Sequence, residues 1–420
     1  MAHRKVVIIG GGFAGITAVR KLAHEDVSIT LIDRSNHHLF QPLLYQVATA
    51  GLAAPSIAAP LRHILRGQRN VTVLMGEVTR IDTAARQVRF GDRAIDYDYL
   101  LVATGAGHAY FGHDEWEPHA PGLKTLDDAF VIRRRILAAF ERAEATSSDA
   151  ERDACLTFAV IGGGPTGVEL AGTLAEIARH TLANEFRRID SRQARVLLIE
   201  AGPRVLSNFV ETLSGKARRQ LEKLGVEVRT GMAVTDIGDG YLVAGGERIV
   251  ARTILWAAGV AASPLARSLG AELDRAGRVK VAADLSLPGH AEVFVAGDLA
   301  SVQQDGKPVP GVAQAAKQMG ARVARNIAAL LAGRATSPFR YRDAGSLATI
   351  GRHSAIVQLP ALRLSGILAW WFWLVLHIWF LIEFRSRLIV LINWAWSYFT
   401  YARGARIILG NESERDFHGS

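Results

Sequence analysis

The sequence predicts an α/β fold built twice over, and two observations carry that prediction. A short β-rich run, then G-x-G-x-x-G, then a helix-like segment occurs at residues 5–15 and again at residues 156–169. In each copy a second strand follows and ends in an acid, Asp33 in the first and Glu200 in the second. Glycines at this spacing permit a tight turn and let the backbone approach a pyrophosphate. The helix N-terminus then meets that anion with free N–H groups and the positive end of its dipole. Two copies in strand–turn–helix context point to two Rossmann-like dinucleotide-binding domains, with a flavin facing a nicotinamide as the natural pairing of ligands.

The elements follow in order. The first unit reads as a strand over 5–9, a helix over 13–23 and a strand over 28–32 ending at Asp33, where a βαβ unit meets the adenosine ribose. Strand-like runs over 71–74, 86–90 and 97–102 come next. The last enters Ala103-Thr104-Gly105, where the backbone can pass close to a cofactor. Residues 126–143 have helical periodicity, and 146–152 read as a polar loop. The second unit is a strand over 156–161, a helix from Thr166 to Arg179 or beyond, and a strand over 196–199. Its acid, Glu200, lies further from the glycines than the usual ~20 residues, so an extended helix or insertion is expected around 180–193. A helix over 213–224 and strands near 226–229, 241–243 and 253–257 complete it, ending in Ala258-Gly259 as the first unit ends in Thr104-Gly105. The chain reads as an internal duplication offset by about 150 residues, far too long a period for a solenoid. After Gly270 come a strand ending in Gly297-Asp298, then Pro310-Gly311 and a helix over 312–331. From about Ser346 the chain becomes rich in Trp and Arg.

Composition narrows the class. The 420 residues allow two or three domains, and 40 Gly with 49% hydrophobic residues suit an α/β chain with many tight turns. The single Cys155 allows no disulfide within the chain and is expected as a buried small residue. No Cys-based metal site is possible with it, and no His/acid spacing of a metal site accompanies His37, His38 and Lys317. The net charge of +9 is largely Arg, and Arg flanks the apolar tail, so a membrane surface is the expected acidic partner and nucleic acid is not. The first strand begins at Lys5, so no signal peptide is expected and the nucleotide-binding part is placed in the cytoplasm.

The tail carries a dense apolar run over 366–382 with Trp370, Trp371, Trp373, Trp379 and His377. At ~1.5 Å per residue this falls short of a ~30 Å hydrocarbon core. Arg363 flanks one end, Arg385 and Arg387 the other, and a second Trp-rich run over 388–401 carries Asn393 and Ser397 and leads to Arg403. Arg fringes with abundant Trp suit helices lying at a membrane interface. A true spanning helix and a soluble homodimer interface are the alternatives.

At this point the chain resembles the type II NADH:quinone oxidoreductases, members of the two-dinucleotide-binding-domain flavoprotein group. The doubled fingerprint, Ala103-Thr104-Gly105 and Ala296-Gly297-Asp298 belong to the whole group. The run Phe40–Ala48, the helix segment 313–318 and the Trp-rich tail are more specific. The resemblance implies FAD on the first unit, closed by the later Gly-Asp segment, and NADH on an inserted second unit. The expected division is 1–120 and 281–345 for a discontinuous FAD domain, 121–280 for the NADH domain, 346–410 for an amphipathic membrane-anchoring region and 411–420 for a polar tail. Relatives that work through a thiol relay carry cysteines near the flavin. Here Asn36-His37-His38-Leu39-Phe40-Gln41 has none, so electrons must leave the flavin directly to an acceptor.

The candidate residues follow. Gly10, Gly12, Phe13, Ala14, Gly15, Asp33, Arg34, Gln41, Ala103, Thr104, Gly105, Gly297, Asp298 and Ala313 are the FAD candidates. Asp298 alternatively ends a strand as an Asx turn. Gly162, Gly164, Pro165, Thr166, Gly167, Glu200, Ala258 and Gly259 are the NADH candidates. The Glu200 carboxylate favours ribose hydroxyls over a 2′-phosphate, although Arg204 nearby is suited to that phosphate. Glu169 matches a glutamate that the family places near nicotinamide and flavin. Its plainer role is a first-turn carboxylate favouring the helix N-terminus. Gln314 and Gln318 share one helix face, which the resemblance puts against flavin and quinone; a polar helix surface is the alternative. His37, His38 and Lys317 are weaker proton-donor candidates.

The activity so implied is hydride transfer from NADH to FAD and two-electron reduction of a membrane quinone, ubiquinone or menaquinone. Proton pumping is not expected. The enzyme is expected at the cytoplasmic face of a bacterial inner membrane, peripherally bound. A soluble NADH-dependent ferredoxin or rubredoxin reductase, and a flavin-bound protein that docks a partner through its tail, are the alternatives.

Overall fold

The structure, a computed structural model, describes residues 3–381, 384–400 and 404–408. Residues 411–420, together with Ile382, Tyr401 and Arg403 of the tail runs, lie outside the described residues. The chain packs as two compact units. One comprises Met1–Leu39, Ala58–Gly107 and Val260–Ala344, the other Phe40–Ile57, His108–Gly259 and Gly345–Ser420.

The first unit is built on a six-stranded sheet. From one edge its strands are Ser286–Leu287, His290–Val295, Tyr99–Val102, Arg4–Ile9, Val27–Asp33 and Val71–Met75. All neighbours run parallel except the first pair. Val6 to Ile9 are buried, as a central parallel strand covered on both faces requires, in a core that also takes in Val78, Ile81 and Val88. Helix Phe13–Lys21 follows the first strand, and helix Ala313–Leu331 packs against it. The contact is close enough that a Cβ on Gly320 would stand 2.1 Å from the Ala14 carbonyl oxygen. A three-stranded antiparallel meander, Val78–Asp82, Gln87–Phe90 and Arg93–Asp96, precedes the return strand Tyr99–Val102.

The second unit repeats the plan. Its parallel sheet has the order Val226–Thr230, Arg195–Glu200, Thr157–Ile161, Thr253–Trp256. A meander over Val234–Gly238, Tyr241–Ala244 and Glu247–Val250 again precedes the return strand. Helix Pro165–Glu176 runs into a π-helical turn, Ile177–Thr181, and the chain then loops to a short 3₁₀ turn at Ser191–Gln193. This is the insertion that separates Glu200 from its glycines. Glu144, near the end of helix Leu126–Ala145, pins it by accepting the backbone N–H groups of Arg187, Arg188 and Ile189.

Three features depart from the sequence reading. The expected polar loop 146–152 is largely a helix, Asp149–Cys155, capped by the Ser148 hydroxyl; Cys155 is buried at its end. The tail opens with a three-stranded antiparallel sheet, Ser346–Gly351, Ser354–Gln358 and Arg363–Gly366, before its two helices, Ile367–Phe380 and Phe384–Thr400. The unit boundaries fall at 107/108 and 259/260, where 120 and 280 were expected. Local bonds explain both shifts. Trp256 donates its backbone N–H to Pro121 and its indole N–H to Ala109, which holds 108–121 on the second sheet. Ser268 accepts the Ile81 N–H, which holds the chain after Val260 on the first unit.

Candidate active site

The two fingerprints close in the same way. In the first, the Gly10 N–H donates to Ile32 and the Ala103 N–H to Ile9; in the second, Gly162 donates to Ile199 and Ala257 to Ile161. Gly10 has φ +102° and Gly162 φ +107°. A Cβ on Gly10 would lie 2.3 Å from the Ala103 oxygen, and one on Gly167 1.8 Å from the Gly162 oxygen. Gly12 and Gly164 are the N-caps, with no capping side chain and with empty space around the position of a Cβ. Each helix therefore offers bare N–H groups and a positive dipole end to an open hollow, as a pyrophosphate requires.

The two acids also match. Asp33 accepts the Gly11 N–H at 2.6 Å and the Ser35 N–H at 2.6 Å. Glu200 accepts the Gly163 N–H at 2.5 Å and the Gly202 N–H at 2.6 Å. An ionised carboxylate can accept about four hydrogen bonds, so each keeps capacity for ribose hydroxyls. Arg204 is tied to the carbonyls of Phe209 and Ser207 at 2.8 and 3.0 Å, which occupies part of the guanidinium that would meet a 2′-phosphate.

The first unit brings more of the candidates together. Gly297, with φ +75°, packs on Ala14 and Ala316, which places the Gly-Asp turn between the N-terminal ends of the two helices. The Asp298 carboxylate faces Gly311, 3.3 Å from the position of a Cβ there. The Thr104 hydroxyl is buried without a partner, and Gly105 beside it is open. An orphaned hydroxyl next to an empty glycine hollow fits a bound dinucleotide that supplies the missing bond. Arg34 is exposed, and Gln41 falls in the second unit. The Gln318 amide is engaged at both ends: its N–H₂ donates to the Arg342 carbonyl and its oxygen accepts the Arg342 N–H, each at 2.9 Å. Gln314 accepts the Ala344 N–H at 3.2 Å. Both glutamines thus strap the 342–344 segment to their helix.

His38 is buried. Its Nδ1 donates to the Gly11 carbonyl at 2.8 Å, and burial pulls the imidazole down to about 4, so it is neutral at pH 7. Lys317 lies 5.2 Å over the Phe13 ring, and burial lowers its ammonium below the usual lysine range. His37 is half-buried, 3.1 Å from the Asn36 amide oxygen.

Glu169 is not a first-turn carboxylate. Pro165 takes the first helical position, which sets Glu169 one turn in, where it accepts the Thr349 backbone N–H. The residue is half-buried overall with its carboxyl enclosed. Burial pushes that carboxyl up to about 8, against the opposing pull of the Thr349 N–H.

Sequence reasoning missed a second cluster. The Phe40–Ala48 run folds as a 3₁₀ turn and a short helix within the second unit. There the Trp394 indole donates to Gln46 at 2.7 Å, Gln46 donates to the Tyr45 hydroxyl at 2.9 Å, and Trp394 stacks on Trp373 at 5.3 Å. The two family-specific motifs of this unit therefore meet. A cavity beneath them is lined by Tyr45, Thr173, Glu176, Thr349, Arg352 and three tail tryptophans, Trp370, Trp373 and Trp394. Outside it, Leu368, Trp371, Val375 and Trp379 form one helical stripe, exposed by 68, 50, 62 and 70%. Leu388, Ile392 and Trp396 form a second exposed stripe on the next helix. Among the described residues no helix is long and apolar enough to cross a membrane.

Comparison with known proteins places this geometry. Residues 4–320 match the pyridine nucleotide-disulphide oxidoreductase family, and residues 344–401 match the NDH2 C-terminal domain. The chain is 47% identical to the type II NADH:quinone oxidoreductase Ndh of Mycobacterium tuberculosis over 98% of its own length and 91% of the relative's. It is 31% identical to the type II NADH:quinone oxidoreductase of Staphylococcus aureus, covering 87% of this chain and 92% of that one. Among solved structures, NDH2 from Plasmodium falciparum in complex with NADH superposes with a TM-score of 0.90 at 20% identity, covering 97% and 100% of the two chains, which speaks for the fold.

Proposed function

The chain belongs to the type II NADH:quinone oxidoreductase family, and we propose that it oxidises NADH and reduces a membrane quinone through FAD, two electrons at a time and without pumping protons. The observation that carries the reading is the pair of matched glycine hollows, each with an acid at its second strand end, on a chain whose tail matches the NDH2 C-terminal domain.

FAD, when bound, supplies the chemistry: it takes a hydride from NADH and passes two electrons to quinone. The chain's residues bind and orient. Gly10 to Gly15 and the N-terminus of helix Phe13–Lys21 hold the FAD pyrophosphate, and Asp33 holds its ribose. The Thr104 hydroxyl and the Asp298 carboxylate offer bonds to the rest of that cofactor. Gly162 to Gly167 and Glu200 do for NADH what the first set does for FAD, with Ala258 and Gly259 at the hollow's edge. Glu169 holds a proton at neutral pH and is suited to release it as quinone is reduced. Gln314 and Gln318 fix the backbone beside the acceptor and turn their amides to quinone carbonyls only if the 342–344 segment gives way.

The exposed stripes bind the bilayer surface from the cytoplasmic side. Contiguous apolar exposure of this kind marks a membrane or protein interface, and the Arg fringes favour an anionic lipid surface over a homodimer. Steady-state NADH oxidation with three acceptors tests the reading. A lipid-soluble quinone should turn over far faster than ferredoxin or rubredoxin. Preference for the iron–sulfur protein would overturn it.

A further inference from the structure

Phe111 holds a costly conformation at the surface of the second unit. Its φ is +56°, in the left-handed region that glycine adopts freely and an aromatic residue does not. The side chain gains little from the core in exchange, since the residue is 70% exposed. The flanking bonds impose the conformation. The Ala109 carbonyl accepts the Trp256 indole N–H at 3.0 Å, and the Tyr110 hydroxyl donates to the Ala120 carbonyl at 2.9 Å. Tyr110 is itself buried, with its ring 5.1 Å from that of Trp256. Held on that side, and with Gly112 at φ +96° on the other, the turn sets the Phe111 ring on Gly259 and leaves no room for a Cβ there. Gly259 lies just past the end of strand Thr253–Trp256. Strain held in place under an exposed aromatic side chain marks a working site.

The sheet order sets which half of a dinucleotide passes that ring. Strand Thr157–Ile161, which feeds the glycines, has Arg195–Glu200 on one side and Thr253–Trp256 on the other. A dinucleotide lies outside the carboxyl ends of such strands, with its pyrophosphate at the glycines and its adenosine ribose at the acid. Glu200 therefore fixes the adenosine on the first side. The nicotinamide half must run the other way, over the carboxyl end of Thr253–Trp256, one strand spacing of ~4.8 Å from the glycines. That is where Gly259 and the exposed Phe111 ring stand. Resting on the NADH-oxidising reading above, we infer that the Phe111 ring packs against the nicotinamide of NADH and limits its swing. The reduced nicotinamide is an uncharged flat ring, which suits it to an aromatic face. Held only at its pyrophosphate and adenosine, NADH would leave its reacting end free to pivot. A wall beside that end removes part of the freedom that hydride transfer would otherwise have to overcome.

A ring that served only the scaffold would, when lost, weaken the fold and every nucleotide alike. Phe111→Asn removes the ring and suits the left-handed backbone, whereas Phe111→Tyr keeps the ring. The test uses the FAD-loaded full chain without oxygen and follows flavin reduction in a stopped-flow mixer as NADH is raised, with ADP-ribose as competitor. ADP-ribose carries the adenosine, the pyrophosphate and the second ribose but no nicotinamide. Phe111→Asn should raise the half-saturating NADH concentration roughly tenfold and leave ADP-ribose inhibition within about twofold of wild type. Phe111→Tyr should respond to NADH as wild type does. Phe111→Asn should also melt at or above the wild-type temperature, because it relieves the backbone and gives up little buried area. An unchanged NADH dependence in Phe111→Asn would overturn the contact, and so would equal weakening of NADH and ADP-ribose. Wild-type flavin that NADH does not reduce would fail the NADH reading itself, whereas a reducible wild type with an unaffected Phe111→Asn fails the contact alone.

Discussion

Replacing Glu169 by Gln should change how stability depends on pH, and the structure sets the size. The carboxyl, ordinarily near 4.5, is held up to about 8 because it is buried beside strand Ser346–Gly351. Between those values the folded chain keeps a proton that the unfolded chain has released. This contribution to stability is therefore complete below 4.5 and is lost as pH rises through 8. Complete enclosure would make it on the order of 4–5 kcal/mol, and the half-burial of the residue brings it to about 2–3 kcal/mol. At about 2–4 °C per kcal/mol for a unit of 150–250 residues, the wild-type midpoint should fall about 5–10 °C more than that of Glu169→Gln between about pH 5 and pH 9. Near pH 5 the two proteins should melt together, since Gln is an isostere of the protonated acid and keeps an acceptor for the Thr349 N–H. Tryptophan fluorescence followed through thermal unfolding at four or five pH values makes the comparison. Parallel curves would mean that Glu169 ionises at an ordinary pH, and its use as a neutral-pH proton carrier would fall with them.

Three further outcomes are expected. Glu200→Gln should weaken NADH by about 1.5–3 kcal/mol, roughly ten- to hundredfold in apparent affinity, with quinone affinity unmoved; an unchanged KM for NADH would remove Glu200 from the ribose. Changing Gln314 and Gln318 to Leu should slow flavin reoxidation by quinone more than reduction by NADH. Limited proteolysis should show the 342–344 segment loosened, because its backbone loses the amide straps; equal loss in both half-reactions would point to cofactor binding instead. Trp371→Ser, Val375→Ser and Trp379→Ser together should release the protein from anionic vesicles in a flotation assay while leaving bound FAD intact, since each side chain is mostly exposed. Vesicle binding unchanged by the triple substitution would shift the adhesion elsewhere.

The doubled core was legible because its signals are local. Glycine spacing, apolar runs and terminal acids read out the two sheets, their fingerprint helices and the acids at both second-strand ends. The helix Asp149–Cys155 was misread as loop because its charged residues hid a capping signal, Ser148 with Glu151 three positions on. The tail sheet escaped because its strands are short and lie in a stretch dominated by the Trp-rich helices that follow. The straps from Gln318 to Arg342 and from Glu176 to Arg352 join residues far apart in sequence, and no local periodicity announces them. The cavity cluster had a partial signal. Glu169, Thr173 and Glu176 recur at helical spacing, but only the fold lays the tail strand along that face.

Anaerobic single-turnover spectroscopy tests the central claim most directly. NADH added to the FAD-loaded enzyme on vesicles should bleach the flavin absorbance, and a lipid-soluble quinone added next should restore it with one quinol formed per NADH consumed. Flavin that bleaches with NADH and stays reduced in the presence of quinone would contradict the account.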